Sequence, residues 1–192
     1  LQENVKLNHV ENFVKPFNLD GREFIRQSPR LLFDWIKQSS TIETKKLVKR
    51  RKLDKTTKSE RSARDYDITK IVIPKYYSNY VMNLPDSALT FLDEFIGLYS
   101  DPEIEAFVKS DKDFKLPTIN VHCFEKYSPQ EQPEPSQKEI ESRVHQKIVK
   151  LLDYPLPLEA CKFHLVRRVA PTKPMFCVSF QLPEEVAFRK RD

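Results

Sequence analysis

Glycine is nearly absent from this chain. Only Gly21 and Gly97 occur among 192 residues. An α/β domain that binds a nucleotide-like cofactor normally opens with a glycine-rich turn, because only glycine lets backbone approach the ligand closely. No such turn is present. Cysteine is also scarce. Three residues, far apart and without a CxxC pair, argue against a disulfide framework and a structural zinc site, and point to a reducing compartment. No apolar run approaches the roughly 20 residues that span a bilayer, and no signal peptide is visible. An initiating methionine is missing as well. The chain opens at Leu1 inside a helical pattern, with Leu1, Val5 and Asn8 on one face and no capping residue before them. Together with the missing glycine-rich turn, this reads as the C-terminal part of a longer α/β polypeptide.

Charge is plentiful but uneven. The chain carries 33 Lys plus Arg against 28 Asp plus Glu, a net +5. Residues 45 to 64 alone hold ten basic and two acidic residues, so the rest of the chain is slightly acidic. The pI near 9.0 therefore describes one segment rather than the body. Residues 39–66 contain few apolar side chains and read as a basic, flexible or loosely helical insertion. Such a run suits contact with phosphate or nuclear import, and equally a solvated loop.

Around that insertion the pattern is that of an α/β domain. Residues 13–18 read as a short strand with Pro16 in it. Leu19-Asp-Gly-Arg22 reads as a turn, with Gly21 supplying freedom in φ and Asp20 able to cap the following residues. Residues 28–38 read as a helix, with Ser28 as cap and Pro29 in its first turn. Its Trp35 suits core packing better than base stacking. Ile68–Ile73 is β-branched and reads as an extra edge or an extension of the next strand. That strand, near 78–83, ends at Asn83-Leu-Pro85, since proline cannot continue a ladder. Asp86 is placed to cap a helix with Leu89, Leu92, Phe95 and Ile96 on one face. Tyr76, Tyr77 and Tyr80 suit half-buried packing better than base stacking. A short helix from Asp101-Pro102 follows, then a strand at 118–124 with Ile119, Val121 and Cys123 on one face. A helix at 137–152 presents Ile140, Val144, Ile148 and Leu151. Two strands at 162–182, joined by Ala170-Pro-Thr-Lys-Pro174, make a hairpin. Arg167-Arg168 near its turn suits phosphate contact or protection of a sheet edge. The tail Phe188-Arg-Lys-Arg-Asp192 reads as frayed. His122 and Cys123 point to opposite faces and do not form a metal pair, and no metal site is expected.

One stretch stands out chemically. Asn83 ends a central strand, and ligands of open α/β sheets sit outside the carboxyl ends of the strands. Its amide both donates and accepts hydrogen bonds. The alternative is a turn asparagine that bonds its own backbone.

Three segments also carry a resemblance. They are Asn83-Leu-Pro85 with Phe91-Leu-Asp-Glu-Phe95; Leu1 to Val10 with Phe17-Asn-Leu-Asp-Gly-Arg-Glu-Phe-Ile25; and Thr118-Ile-Asn-Val-His-Cys-Phe124. In this order and separation they resemble the tRNA (guanine-37-N1)-methyltransferase family. The resemblance covers most of the chain except residues 39 to 66. It implies residues 1–38 and 67–192 as the C-terminal part of a class I methyltransferase (Rossmann-like) sheet, with parallel strands at 13–18, 78–83 and 118–124 and an antiparallel hairpin at the end. The implied reaction moves a methyl group from S-adenosylmethionine to N1 of the guanine 3′ of the anticodon, in the tRNA anticodon loop. By this resemblance Asp20 accepts from the adenine amino group, Gly21 lies beside the ring, and Asn83 orients the substrate base or the cofactor. A glutamate general base, a guanine-holding arginine and the glycine-rich loop belong upstream of Leu1. A monomer in the cytoplasm, nucleus or mitochondrial matrix is implied too. Two alternatives stay open: an aminocarboxypropyltransferase of wybutosine synthesis, and a non-catalytic RNA-binding fragment.

Overall fold

A computed structural model describes residues 1–47 and 66–191. Residues 48–65, with most of the basic segment, lie outside the described residues. The chain divides into two compact units, residues 1–18 with 34–74, and residues 19–33 with 75–192.

In the first unit, helix α1 (Gln2–Leu7) buries Val5, whereas Leu1 is exposed. Residues 13–18 are not the strand their apolar content suggested. Pro16 has no amide for a ladder, and the segment enters no sheet among the described residues. It begins instead as a turn, with the amides of Phe13 and Val14 both bonded to the Val10 carbonyl. Strands β1 (Thr41–Leu47) and β2 (Tyr66–Val72) form a two-stranded antiparallel sheet. This corrects the reading of residues 39–66 as an insertion without a strand. β-branched pairs explain it: Thr41 faces Val72, Ile42 faces Ile71, and Thr44 faces Thr69. Ile68–Ile73, read as an extra edge or an extension of the next strand, does not extend that strand; its residues up to Val72 pair with β1 in this separate sheet. Trp35 is half-buried, with the Lys15 ammonium 4.9 Å from its ring centre.

The second unit holds a four-stranded sheet and its cover. Its strands are β3 (Asn79–Met82), β4 (Thr118–Phe124), β5 (Lys162–Ala170) and β6 (Lys173–Gln181), in the order β3-β4-β6-β5. β3 and β4 are parallel, while β6 runs antiparallel to both β4 and β5. The last strand in sequence thus sits inside the sheet, and β5 forms the edge. The alternation in β4 is as expected. Ile119, Val121 and Cys123 are fully buried, and the core they start includes Phe176, Val178 and Phe180 of β6. Burial raises the Cys123 thiol to about 12, so it is a packing group rather than a nucleophile.

Helix α2 (Gly21–Gln38) is one helix where two segments were expected. Pro29 sits inside it, and its missing amide leaves the Ile25 carbonyl without the usual donor four residues on. The Ser28 hydroxyl fills that gap, bonding Ile25 O at 2.7 Å. Ser28 is therefore fully buried mid-helix and is not a cap. Tyr80 OH lies 2.8 Å from the same hydroxyl oxygen and donates to it, because Ser28 has already committed its proton. Burial pushes the Tyr80 pKa well up, which keeps that proton in place.

After β3 the chain forms a 3-10 helix (Ala88–Phe95) with Leu92 and Phe95 buried. Asp86 does not cap it; the preceding residue is Ser87, without a side-chain bond. Asp86 instead lies exposed, 3.9 Å from Lys173. Helix α3 (Pro102–Lys109) begins at Asp101, which accepts from the Glu103 amide at 2.9 Å and the Ile104 amide at 3.2 Å. Helix α4 (Gln137–Leu152) starts with a reciprocal cap between Ser136 and Glu139. It buries Ile140, Val144, Ile148 and Leu152, a spacing of four throughout, and Leu151 is only half-buried.

Residues 188–191 of the C-terminal tail are not frayed. After helix α5 (Glu184–Ala187), Phe188 packs on Tyr99, Arg189 bonds Asp153 at 3.0 Å, and Arg191 bonds the Ile96 carbonyl at 2.6 Å. Gly97 makes this possible. Its φ is +69°, and a Cβ there would lie 2.5 Å from the Arg189 carbonyl oxygen. No described helix is long and apolar enough to cross a membrane.

Candidate functional site

Two turns of the second unit meet around one cavity. The first opens α2. Asp20 Oδ1 accepts from the Arg22 amide at 2.9 Å, and the Asp20 carbonyl accepts from the Phe24 amide at 2.8 Å. One carboxylate oxygen thus caps the helix, while the other bonds none of the described residues, and the side chain is exposed. Gly21 has no positive φ, so conformational freedom is not its reason for being glycine. Close approach is: a Cβ at Gly21 would lie 3.2 Å from the Phe91 ring.

The second turn ends β3. Leu84 O accepts from the Ser87 amide at 3.0 Å and the Ala88 amide at 2.7 Å, and Pro85 O accepts from the Phe124 amide at 3.2 Å. The Asn83-Leu-Pro85 turn is therefore fixed at the carboxyl ends of the parallel strands β3 and β4. Asn83 itself is exposed. Its side-chain amide makes no hydrogen bond to the described residues, so it does not cap its own turn.

Between the two turns lies a cavity of about 300 Å³. Gly21, Phe24, Tyr77, Met82, Leu84 and Phe91 line it, and Ser28 and Tyr80 contribute polar atoms that already bond one another. The walls are mostly apolar, as in small-molecule sites, where a few polar groups set orientation. Asp20 adjoins the lining residue Gly21, and Asn83 lies between the lining residues Met82 and Leu84. Thus Gly21 lines the cavity, while Asp20 and Asn83 stand beside lining residues with uncommitted polar atoms. The only ionisable lining groups among the described residues are Tyr77 and Tyr80. Desolvation raises the pKa of both, so neither is a proton acceptor near neutral pH. No group of acidic, histidine or cysteine side chains suited to a metal occurs among the described residues.

The sequence reading missed Phe24, Tyr77 and Phe91 as walls. The signal for Phe91 was a glycine opposite it, visible only once the two segments are side by side. Tyr77 stacks edge-on with Tyr80 at 5.6 Å, so it packs, as expected, and also faces the cavity. Arg168 is engaged by Tyr127 OH and the Pro171 carbonyl at 3.4 Å, whereas Arg167 stands exposed on β5.

No family model matches this chain, and no solved structure matches it. Curated relatives do. A Candida albicans protein is 55% identical over 99% of this chain. A Saccharomyces cerevisiae protein is 43% identical over 97% of it, and a Schizosaccharomyces pombe protein is 40% identical over 99%. Each bears the name tRNA (guanine(37)-N(1))-methyltransferase, and the matched region is 41%, 37% and 38% of those three proteins. This chain therefore spans about two fifths of the length of the relatives it matches.

Proposed function

We propose, from the premise that this chain belongs to the tRNA (guanine(37)-N(1))-methyltransferase family, that it supplies the C-terminal part of a class I methyltransferase domain. The whole polypeptide, of the relatives' length, then methylates N1 of guanine-37 in the tRNA anticodon loop. The observation that carries this reading is the meeting of the Asp20-Gly21 and Asn83-Leu-Pro85 turns at one apolar cavity. The antiparallel β5–β6 pair at the end of the sheet agrees with the fold.

S-adenosylmethionine, when bound, supplies an electrophilic methyl group. The residues present suit its adenosine end. Gly21 lets the Phe91 ring pack against the start of α2, Phe24 and Phe91 offer apolar walls, and Asp20 keeps one carboxylate oxygen for an exocyclic amine. Asn83 orients the base or the methionine end of the cofactor with an amide that has no competing partner. In-line transfer depends on such positioning. Methylation at N1 also requires that the N1 proton leave. Among the described residues that line the cavity, none is a proton acceptor near neutral pH. A guanine reached in this way is read along its Watson–Crick edge.

The test is product analysis. A polypeptide of the relatives' length carrying this chain is incubated with S-adenosylmethionine and tRNA transcripts bearing G37 or A37. Digestion and mass spectrometry are expected to find one added methyl group on G37, and none on the A37 transcript. An aminocarboxypropyl increment moves the chain to wybutosine synthesis, and an unmodified product leaves an RNA-binding role. The chain of 192 residues alone is expected to give no methylated product.

A further inference from the structure

Glu94 pairs with three arginines. It lies only 7% exposed, and the arginines converge on it from two distant segments. Arg22 Nη2 is 3.0 Å away, Arg26 reaches both its oxygens at 3.0 and 3.1 Å, and Arg191 Nη1 lies at 3.5 Å. Arg191 also donates to the Glu94 and Ile96 carbonyls. A carboxylate buried this far is stable only while its charge is matched and its lone pairs are occupied.

Arg22 connects this cluster to the candidate site. Its backbone amide holds Asp20 Oδ1. Its guanidinium spans the 3-10 helix, pairing with Asp93 at 2.6 Å as well as Glu94, and donating to Thr90 O. The bond to Asp93 is the leading cause of its raised pKa. One residue thus grips the Asp20 carboxylate with its main chain and the segment after Asn83 with its side chain. Arg26, one turn along α2, adds a second side-chain hold on Glu94.

We propose that Glu94 is a positioning residue. By gathering Arg22, Arg26 and Arg191 it holds the Asp20-Gly21 turn packed against Phe91, and hence the shape of that wall of the adenine-side cavity. The last residues of the chain become a support of that cavity. Gly97 serves the same end, since any side chain there collides with the tail at Arg189. This inference rests on the function proposed above.

The experiment uses the polypeptide of the relatives' length, with Glu94→Gln, Arg191→Ala and, as control, Asp20→Ala. Gln keeps the shape and removes the charge that holds the arginines. Glu94→Gln is expected to raise KM for S-adenosylmethionine about tenfold with kcat within about twofold, the pattern of lost binding common to ground and transition states. Arg191→Ala is expected to raise it about threefold, since two arginines remain. A lower melting temperature with unchanged KM in both variants means a structural role only and overturns the proposal. If Glu94→Gln does not fold, Arg191→Ala decides alone. If Asp20→Ala raises KM and the other variants do not, positioning fails while the functional reading stands. If Asp20→Ala also leaves KM unchanged, the cavity is not the adenine site, and both fall.

Discussion

Replacing Asn83 by alanine separates a site residue from a turn residue. The side chain is exposed and bonds none of the described residues, while the turn around it is held by backbone bonds of Leu84 and Pro85. Alanine therefore removes nothing that the fold uses. Stability is expected to change by no more than about 0.5 kcal/mol, as for a surface substitution away from any structural feature. A capping asparagine would instead cost about 1 kcal/mol. Activity is a different matter. Once substrate and cofactor cover the exposed Asn83, losing its oriented amide costs on the order of 2–4 kcal/mol of barrier, by analogy with oxyanion-hole asparagines. At about 1.4 kcal/mol per decade, that is roughly 30- to 1000-fold in rate. The assay is single-turnover methylation with saturating tRNA and cofactor, with thermal unfolding on the same preparation. Asn83→Asp adds direction: a donor role makes it as damaging as alanine, and an acceptor role spares it. A near-wild-type single-turnover rate for Asn83→Ala refutes the assignment.

Three other substitutions probe particular interactions. Gly21→Ala places a methyl 3.2 Å from Phe91; it is expected to raise KM for S-adenosylmethionine several-fold with the melting temperature little changed, and an unchanged KM means the ring simply moves aside. Ser28→Ala strips the side-chain donor from the Ile25 carbonyl opposite Pro29 and the partner from Tyr80 OH; unfolding is expected to fall by about 1–3 kcal/mol, the cost of buried groups left unbonded, and an unaltered denaturation midpoint contradicts that account. Changing Lys49, Arg50, Arg51 and Lys52 to glutamine is expected to lower the slope of log Kd for tRNA against log salt by up to about 3.6, at roughly 0.7–0.9 for each phosphate that the protein no longer neutralises. An unchanged slope leaves import or solubility as the role of the basic run.

Most of the second unit was legible because its elements carry strong local signals. The β4 alternation and the spacing of four in α4 each bury a continuous face, and a short proline-containing link is enough to specify the β5–β6 hairpin. The first unit was not legible in the same way. Its two-stranded sheet joins residues 41–47 to 66–72 across a charged stretch, and among the described side chains, residues 41–44 and 67–72 show no buried position to give a clean period. The broken reading of α2 has a single cause. Pro29 normally marks a helix start, and a buried serine repairing the lost hydrogen bond is a tertiary event with no signature in sequence.

The site divides along the same line. The places of Asp20 before a helix and of Asn83 after a strand were legible, since both are local facts; the roles proposed for them rest on the resemblance. What holds them together was not legible. Arg22, Arg26 and Arg191 look like ordinary surface charges in the sequence, and Arg191 lies in a tail whose composition reads as frayed. Glu94 sits on the 3-10 helix beside three residues that face the core. Its burial shows only when α2 and the C-terminus are placed against that helix. Charge runs at chain ends are usually solvated, and the exception here needed two things that sequence does not display together: a glycine at 97 to admit the backbone, and a buried carboxylate three residues earlier to receive the guanidinium. The scarcity of glycine then acquires a physical sense. Of the two positions that keep it, one admits the Phe91 ring against the start of α2 and the other admits the backbone of the tail at Arg189.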